Sequence, residues 1–386
     1  MQAWARLYDT RLPRPSTFTR TRKPRRAAQF AAAAAAAVTV AVMDASARPA
    51  AAVPGLTRSD PHGPGLTRAA GGRGFRYLDP DGGQVRDAAT LARIAALVIP
   101  PAWSDVWISP DPLGHIQAVG TDSRGRTQYR YHELWREQRD AQKFAHMLRF
   151  AAALPGLRTA TVHDLGSHGL GHDQVAAGAV RLLDLGLFRI GGERYAELDH
   201  HYGATTLRKQ DVRVTRVGVT FDYIAKEGKR RTITVTDPAV RPTVRALVRS
   251  DSALDTLFCW QDGSGAWRPL RSHEVSSYIV NRSGGHFTAK EFRTWNATVL
   301  MALLLAGAPP AATETRRTRA IAAAVRGVAE WLGDTPAVAR RSYIDPRLIE
   351  AYAAGGELPA IPVVPAVLPA APEAEAAVAA LLAAAG

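Results

Sequence analysis

The segment most informative about the fold is GDTPAVARRSYI, residues 333–344. It follows a periodic apolar pattern that predicts a helix from about Thr315 to Leu332. Gly333 is expected to close that helix, because glycine adopts the left-handed backbone of a helix C-terminus without a steric cost. The segment therefore places Tyr343 a short way beyond a helix end.

Three basic residues upstream give Tyr343 a chemical context. Arg189 lies between apolar neighbours at a helix end, Lys226 lies at the tip of a predicted hairpin, and Arg293 falls in the expected first turn of an apolar helix. A tyrosine has a pKa of about 10 in water, and its phenolate can attack phosphorus to form an aryl phosphodiester. A hydroxyl group can reverse that attack, so the bond energy is conserved without ATP.

The basic side chains fit defined roles in such a phosphodiester transfer. Two guanidinium groups could bind the non-bridging phosphate oxygens, whose charge grows in the transition state. The ammonium group of Lys226 could give a proton to the departing oxygen. Structural alternatives stay open at this stage: a salt bridge from Arg189 to Glu193, a solvated turn lysine at position 226, and a packing role for Tyr343.

Composition and charge favour a polyanionic partner, and together with the phosphodiester chemistry they point to DNA. The chain has 386 residues, enough for two or three domains, and a net charge of +14. Residues 1–43 contain eight Arg or Lys residues and one acid, and the rest of the chain is also basic. Cys259 is the single cysteine, which excludes an intramolecular disulfide and a Cys-based zinc site and suits a reducing cytoplasm.

The N-terminal residues allow two interpretations. An arginine-rich stretch, residues 20–26, precedes an alanine run and an Ala-Ser-Ala sequence, in a pattern similar to a secretory or twin-arginine signal. The alternative is a disordered alanine-rich extension, with Met43 as the true start. Because an enzyme that acts on DNA would gain nothing from export, we expect a cytoplasmic protein. The longest apolar run, residues 31–43, is shorter than the roughly 20 residues of a membrane span.

Patterning along the chain predicts an α+β protein with two folded domains. Residues 1–70 are rich in Ala, Pro and Gly and are expected to form a disordered extension. Residues 71–134 read mainly as strands and turns and predict a small β-rich domain. Residues 135–355 predict a larger, mostly helical domain that carries a β-hairpin. Residues 356–386 form a Pro/Ala-rich tail with a terminal helix from about Ala371.

Local signals predict individual elements within these domains. Pro155 is expected to end a helix, because proline lacks the backbone N–H of a helix interior. Thr288 and Glu291 have the spacing of a capping box at a helix start. Helices are predicted at residues 88–97, 136–154 and 173–185, and a hairpin at residues 212–225 and 230–235.

These motifs, in this order, closely resemble type IB DNA topoisomerases of the bacterial, poxvirus-like branch. The resemblance covers the chain from about Gly72 to Tyr352 and includes the helical catalytic fold that these enzymes share with tyrosine recombinases. The matching segments are FRIG at 188–191, Lys226 in its hairpin, FRTW at 292–295, GDTP at 333–336 and SYI at 342–344, together with IPPAW at 99–103, DSRGRTQYRYH at 122–132 and YGATTL at 202–207.

The resemblance implies a mechanism and a set of DNA contacts. Tyr343 would form a 3′-phosphotyrosyl link, Arg189 and Arg293 would hold the phosphate, and Lys226 would protonate the leaving oxygen. The cut strand would swivel about the intact strand and be resealed, without ATP, metal or any other cofactor. The protein would be a monomer clamped around the duplex, with the β-rich domain on one side. The residues expected to face DNA are Arg126, Gln128, Tyr129 and Tyr131; for the last three the alternative is an ordinary half-buried strand.

One position departs from the family pattern. The second residue of the Gly-x-Thr-Pro motif is expected to be His or Asn, which can donate a hydrogen bond to a phosphate oxygen. Asp334 occupies this position and, when ionised, can only accept. Asp334 could be protonated near phosphate, or it could serve as a helix N-cap; we expect weakened but real activity. The histidines at 163, 168 and 172 lie in a glycine-rich loop and predict no metal site.

Two other classes of protein remain as alternatives. A tyrosine recombinase shares the Arg-Lys-Arg-Tyr chemistry, but it would usually begin with a helical arm-binding domain and read Leu-Arg-His-Thr where this chain reads Phe-Arg-Thr-Trp. A DNA-binding relative weakened catalytically at Asp334 would bind DNA with steep salt dependence and form no covalent adduct.

Overall fold

The computed structural model describes residues 53–72, 74–185, 188–355, 358 and 372–385. Within them the chain forms helices and small antiparallel sheets, as expected for an α+β protein. The chain divides into two compact units, with the division between Ala145 and His146. In the part of the chain that the structure describes, no helix is long and apolar enough to cross a membrane.

The unit before residue 146 is built on a five-stranded antiparallel sheet with the order β2-β1-β3-β4-β5. Helix α1, Ala88–Ala96, begins at the N-cap Asp87, whose carboxylate accepts a hydrogen bond from the Thr90 N–H. The core contains Ile94 of this helix and buried residues of the sheet. The strands are β1 Leu66–Gly71, β2 Gly74–Leu78, β3 Ser104–Ile108, β4 Ile116–Thr121 and β5 Thr127–Tyr131.

The predicted disordered extension is too long at its C-terminal end. Leu66 begins strand β1, is buried, and pairs with Ile108 of strand β3. The sequence of this strand, LTRAAG, contains a single large apolar residue, so the two-residue alternation that marks a strand is hidden. Residues 1–52, where the rest of the predicted extension falls, lie outside the described residues.

The unit from residue 146 onward is mainly helical. It also carries a three-stranded sheet, β6-β7-β8, and a short hairpin, β9-β10. The strands are β6 Val212–Val214, β7 Val219–Ile224, β8 Arg230–Val235, β9 Cys259–Gln261 and β10 Trp267–Pro269. Helix α2, Glu133–Leu165, begins before residue 146 and continues into this unit. The helices that follow it are α3 His172–Asp184, α4 Glu193–Asp199, α5 Val240–Arg249, α6 Ser272–Ser283, α7 Ala289–Ala306, α8 Glu314–Leu332, α9 Pro336–Ser342, α10 Pro346–Ala353 and α11 Pro372–Ala384.

Helix α2 continues through Pro155, so the predicted helix end at this residue is wrong. A proline inside a helix costs about 3 kcal/mol, since it removes a hydrogen bond and crowds the preceding turn. Leu154 and Leu157 flank the proline and are each 1% exposed. Burial of side chains on both sides of Pro155 offsets that local cost, because each buried leucine contributes on the order of 2 kcal/mol.

The hairpin prediction is confirmed, but its first strand is divided. Strands β6 and β7 occupy the span that was predicted as one strand, and a tight turn separates them. Thr215 closes this turn, because its backbone N–H and hydroxyl both bond to the Gly218 carbonyl. Strand β8 has the predicted bounds and pairs with β7 from Val219↔Val235 to Ile224↔Arg230.

Several other local predictions are confirmed to within a residue. Helix α1 ends one residue before its predicted end, and helix α3 is shifted by one residue. Helix α8 spans almost the predicted range and is closed by Gly333 in the left-handed conformation, with φ of 68°. At the start of helix α7, the Thr288 hydroxyl accepts from the Lys290 N–H and the Glu291 carboxylate accepts from the Thr288 N–H.

The C-terminal helix α11 is tied to the helical unit by a buried ion cluster. Arg158 of helix α2 donates to Asp184 at 2.9 to 3.1 Å and to Glu375 of helix α11 at 2.8 and 2.9 Å. The side chains of Asp184 and Arg158 are only 3% and 17% exposed. Removal of Arg158 would leave the carboxylate of Glu375 without this counter-charge, while Asp184 would keep its ion pair with Arg181 at 2.6 Å.

We predict that Arg158→Leu lowers the free energy of unfolding by about 3 kcal/mol, because breaking a buried ion pair on one side leaves buried charge behind. Urea denaturation followed by circular dichroism measures this change. Arg268→Leu is the matched control: Arg268 pairs with Asp262 but is 60% exposed, so its loss should cost less than about 1 kcal/mol. Equal losses in the two variants would contradict the prediction.

Candidate active site

Tyr343 lies at the C-terminus of the short helix α9, where its backbone N–H donates to the Ala339 carbonyl at 3.0 Å. The residue is half-buried. Its carbonyl accepts a hydrogen bond from the Thr298 hydroxyl at 3.2 Å. The following residues are anchored too, since Ile344 is buried and the fully buried Asp345 caps helix α10. Tyr343 is therefore held on both sides by ordered backbone.

Arg293 lies beside the tyrosine, with its guanidinium carbon 5.3 Å from the centre of the Tyr343 ring. It is 4% exposed and belongs to the second turn of helix α7, whose N-cap is Thr288, so the first-turn prediction is wrong. Burial lowers the pKa of Arg293, and Arg189 adds to this effect, while Tyr343 and Asp334 oppose it. Arg293 Nε is buried and has no acceptor among the described residues.

Arg189 points to the same carboxylate as Arg293. Its Nη2 donates to both oxygens of Asp334, at 2.8 and 2.9 Å, and Arg293 Nη2 donates to Asp334 Oδ2 at 3.0 Å. The salt bridge from Arg189 to Glu193, considered above, is not formed; Glu193 pairs with Arg271 instead. The structure thus brings together the two arginines that the sequence singled out, 104 positions apart in the chain.

Asp334 is a ligand of these arginines and not a helix cap. The N-cap of helix α9 is Thr335, whose hydroxyl accepts from the Val338 N–H at 3.3 Å. Asp334 follows Gly333, the left-handed residue that ends helix α8, and this turn directs the carboxylate toward Arg189 and Arg293. The carboxylate of Asp334 therefore accepts from Nη2 of both arginines.

Lys226 is exposed at the tip of the β7–β8 hairpin, as predicted. The tip is tight, since Glu227 and Gly228 both have positive φ, at 67° and 70°. Lys226 and Arg189 line one pocket of about 280 Å³ that also includes Gly333. Lys226 and Arg189 therefore lie on the same side of the candidate site.

A further basic residue of this pocket, Arg231, was missed by the sequence analysis. Its Nη2 donates to the Trp331 carbonyl at 2.9 Å, and the residue is half-buried. Arg231 lies on the same face of strand β8 as Ile233 and Val235, which are buried. Strand alternation could have revealed it, because a charged residue in register with two inward-facing apolar residues needs a partner.

The residues expected to face DNA lie at strand β5 and the turn before it, in the other unit. Tyr129 and Tyr131 are 46% and 39% exposed, and their rings stack at 5.9 Å. Gln128 and Arg126 both bond to Asp122, at 3.0 and 2.7 Å. The strand thus presents a pair of exposed aromatic rings on one face.

Comparison with known proteins places this fold in a class of DNA-binding isomerases. The chain matches the family described as eukaryotic DNA topoisomerase I, catalytic core, over residues 132–353, and the bacterial DNA topoisomerase IB N-terminal domain over residues 74–122. It is also 30% identical to the DNA topoisomerase 1B of Acanthamoeba polyphaga mimivirus over 295 residues, which cover 75% of this chain and 87% of the relative. The chain belongs to the type IB DNA topoisomerase family, and it is a DNA-binding isomerase.

We predict that Asp334→Asn lowers the free energy of unfolding by about 2 kcal/mol, because it removes the charge that pairs with the buried Arg293. Thermal and urea denaturation measure this effect. Asp222→Asn is the control, since Asp222 pairs with Arg230 where the two side chains are 39% and 72% exposed; its cost should stay below about 1 kcal/mol. An unchanged stability of Asp334→Asn would show that the carboxylate is not needed to hold the arginines.

Proposed function

We propose that this topoisomerase relaxes supercoiled DNA by transient cleavage of one strand, without ATP or metal. The observation that carries the proposal is the meeting of three groups: Arg293 lies against the Tyr343 ring, and Arg293 and Arg189 converge on one anion. Guanidinium groups that already share a carboxylate next to a phenol suit a phosphate at the same place.

In this mechanism, the phenol of Tyr343 gives its proton to water, and the phenolate oxygen attacks the phosphorus of one strand. A 3′-phosphotyrosyl bond forms while the bond from phosphorus to the 5′ oxygen breaks. Arg189 and Arg293 bind the non-bridging oxygens, whose negative charge increases in the transition state. The 5′-hydroxyl later attacks the phosphotyrosyl bond, restores the strand and releases Tyr343. Between the two steps the cut strand swivels about the intact strand.

Lys226 is proposed to protonate the 5′ oxygen as it leaves. Its exposed position at the hairpin tip leaves the ammonium group accessible to a DNA strand. A general acid must come within about 3 Å of the atom that it protonates, and this contact often forms only when substrate is bound. The shared pocket of Lys226 and Arg189 supports this assignment.

We further propose that Arg126, Gln128, Tyr129 and Tyr131 contact DNA and that the protein works as a monomer at the nucleoid. The exposed Tyr129 and Tyr131 rings support the contact, because aromatic rings on an open sheet face are suited to sugars and bases. In this proposal residues 71–134 form the β-rich DNA-binding domain and residues 135–355 the catalytic domain.

The first test is relaxation of negatively and positively supercoiled plasmid in EDTA, without ATP. The wild-type protein is expected to relax both signs, whereas Tyr343→Phe should lose at least about a thousandfold in rate, because it lacks the attacking oxygen. Tyr352→Phe is a matched control and should retain the activity. Relaxation by Tyr343→Phe would refute the assignment, and DNA binding without relaxation would support a catalytically inactive relative.

A second test concerns the carboxylate at position 334. Asp334→Asn is expected to raise the rate of covalent adduct formation by about tenfold, because the amide removes a like charge from the phosphate site and can donate a hydrogen bond. Single-turnover cleavage of a labelled duplex measures the rate. The variant should cleave faster although it is less stable; an unchanged or lower rate would show that Asp334 does not limit the enzyme.

A further inference from the structure

The positive charge around Asp334 exceeds the charge of one carboxylate. Arg189 and Arg293 share Asp334, and Arg231 lies in the same neighbourhood. Burial raises the pKa of the Tyr223 phenol, and the charges of all three guanidinium groups oppose that rise. The three guanidinium groups and the Asp334 carboxylate together have a net charge of +2.

Arg231 is held in place by backbone and not by an acid. Its Nη2 bonds to the Trp331 carbonyl, and a Cβ at Gly333 would lie 2.1 Å from its Nη1, so the guanidinium packs directly against the Gly333 backbone. Within the described residues Arg231 forms no ion pair. The guanidinium is therefore fixed against Gly333, the residue before Asp334, and it has more N–H donors than this one bond uses.

This arrangement has a cost in the free protein. Burial lowers the pKa of Arg231, and Arg189 lowers it further, whereas Tyr223 and Asp334 act in the opposite direction. A cation kept partly out of water beside another cation destabilises the protein unless an anion accompanies it. A phosphate bound in the pocket shared by Arg189 and Arg231 would supply that anion.

We propose that Arg231 is a third phosphate-binding guanidinium of the Tyr343 site and that it restores the positive charge that Asp334 neutralises. The proposal rests on the proposed function and deepens it. Two arginines beside a neutral residue at position 334 would give a net charge of two. Three arginines beside Asp334 give the same net charge, so the phosphate meets an equal attraction.

The test is a comparison of covalent adduct formation in single turnovers. The variants are Arg231→Gln, Asp334→Asn and the double variant, with Arg268→Gln as control for the loss of one positive charge elsewhere. Arg231→Gln should lower the rate of adduct formation by about tenfold or more, because one charged hydrogen bond to phosphate is lost. The double variant should regain most of that loss, because the net charge returns to two. Arg268→Gln should stay within about twofold of the wild type.

Two results would overturn the proposal. In the first, Arg231→Gln forms the covalent adduct no more slowly than Arg268→Gln. In the second, Arg231→Gln lowers the rate of adduct formation equally with Asp334 and with Asn at position 334, and it also lowers the melting temperature. The second result would show that Arg231 has a purely structural role through its bond to Trp331. If Arg231→Gln does not fold, Arg231→Lys replaces it. Its ammonium lacks the planar fork, so a rate about threefold or more below wild type is expected, and an unchanged rate overturns the proposal.

A binding measurement separates this proposal from the proposed function. Inorganic sulfate should raise the melting temperature of the wild-type protein, and raise it less in Arg231→Gln than in Arg268→Gln. If the wild type forms no Tyr343-dependent adduct, the proposed function fails and the sulfate result alone decides the role of Arg231. Equal sulfate effects in the two variants overturn that role.

Discussion

The ion pairs of Asp334 are the interaction on which the site depends. The carboxylate bonds to Arg189, 145 residues earlier in the chain, and to Arg293, 41 residues earlier. It thereby joins the segment after helix α3, the start of helix α7 and the end of helix α8. Because Tyr343 ends the short helix that follows, the same turn also sets the position of the tyrosine against Arg293.

An internal carboxylate has two opposing effects on such a site. It supplies a counter-charge for Arg293, which is 4% exposed and would otherwise be a buried cation in the free protein. It also carries the same sign of charge as a phosphate, so in the proposed mechanism a bound phosphate would share the arginine donors with it. The site nevertheless favours the binding of an anion, because Arg189, Lys226 and Arg231 line one pocket and all three are positively charged.

The parts of the fold that were predicted well are those that depend on neighbours in the chain. Gly333 ends a helix because its backbone can be left-handed, and Thr288 starts one because its hydroxyl reaches an N–H two residues on. Predictions failed where distant contacts override local preference. Pro155 is accommodated by flanking buried leucines, and Leu66 joins a sheet through Ile108 although its strand lacks an alternating pattern.

The sequence alone determined which residues are candidates for the chemistry: a tyrosine, a lysine and two arginines, on a basic chain, are residue types that point to phosphodiester transfer. Tertiary structure decided how the charges are paired. From its local context Asp334 could be assigned as a helix cap or as a phosphate neighbour, and the register of Arg231 with Ile233 and Val235 indicates an inward-facing charge but not its partner. Electrostatic pairing acts through space between segments that are far apart in the chain, so only the folded molecule shows that Arg189 and Arg293 share Asp334, with Arg231 beside them.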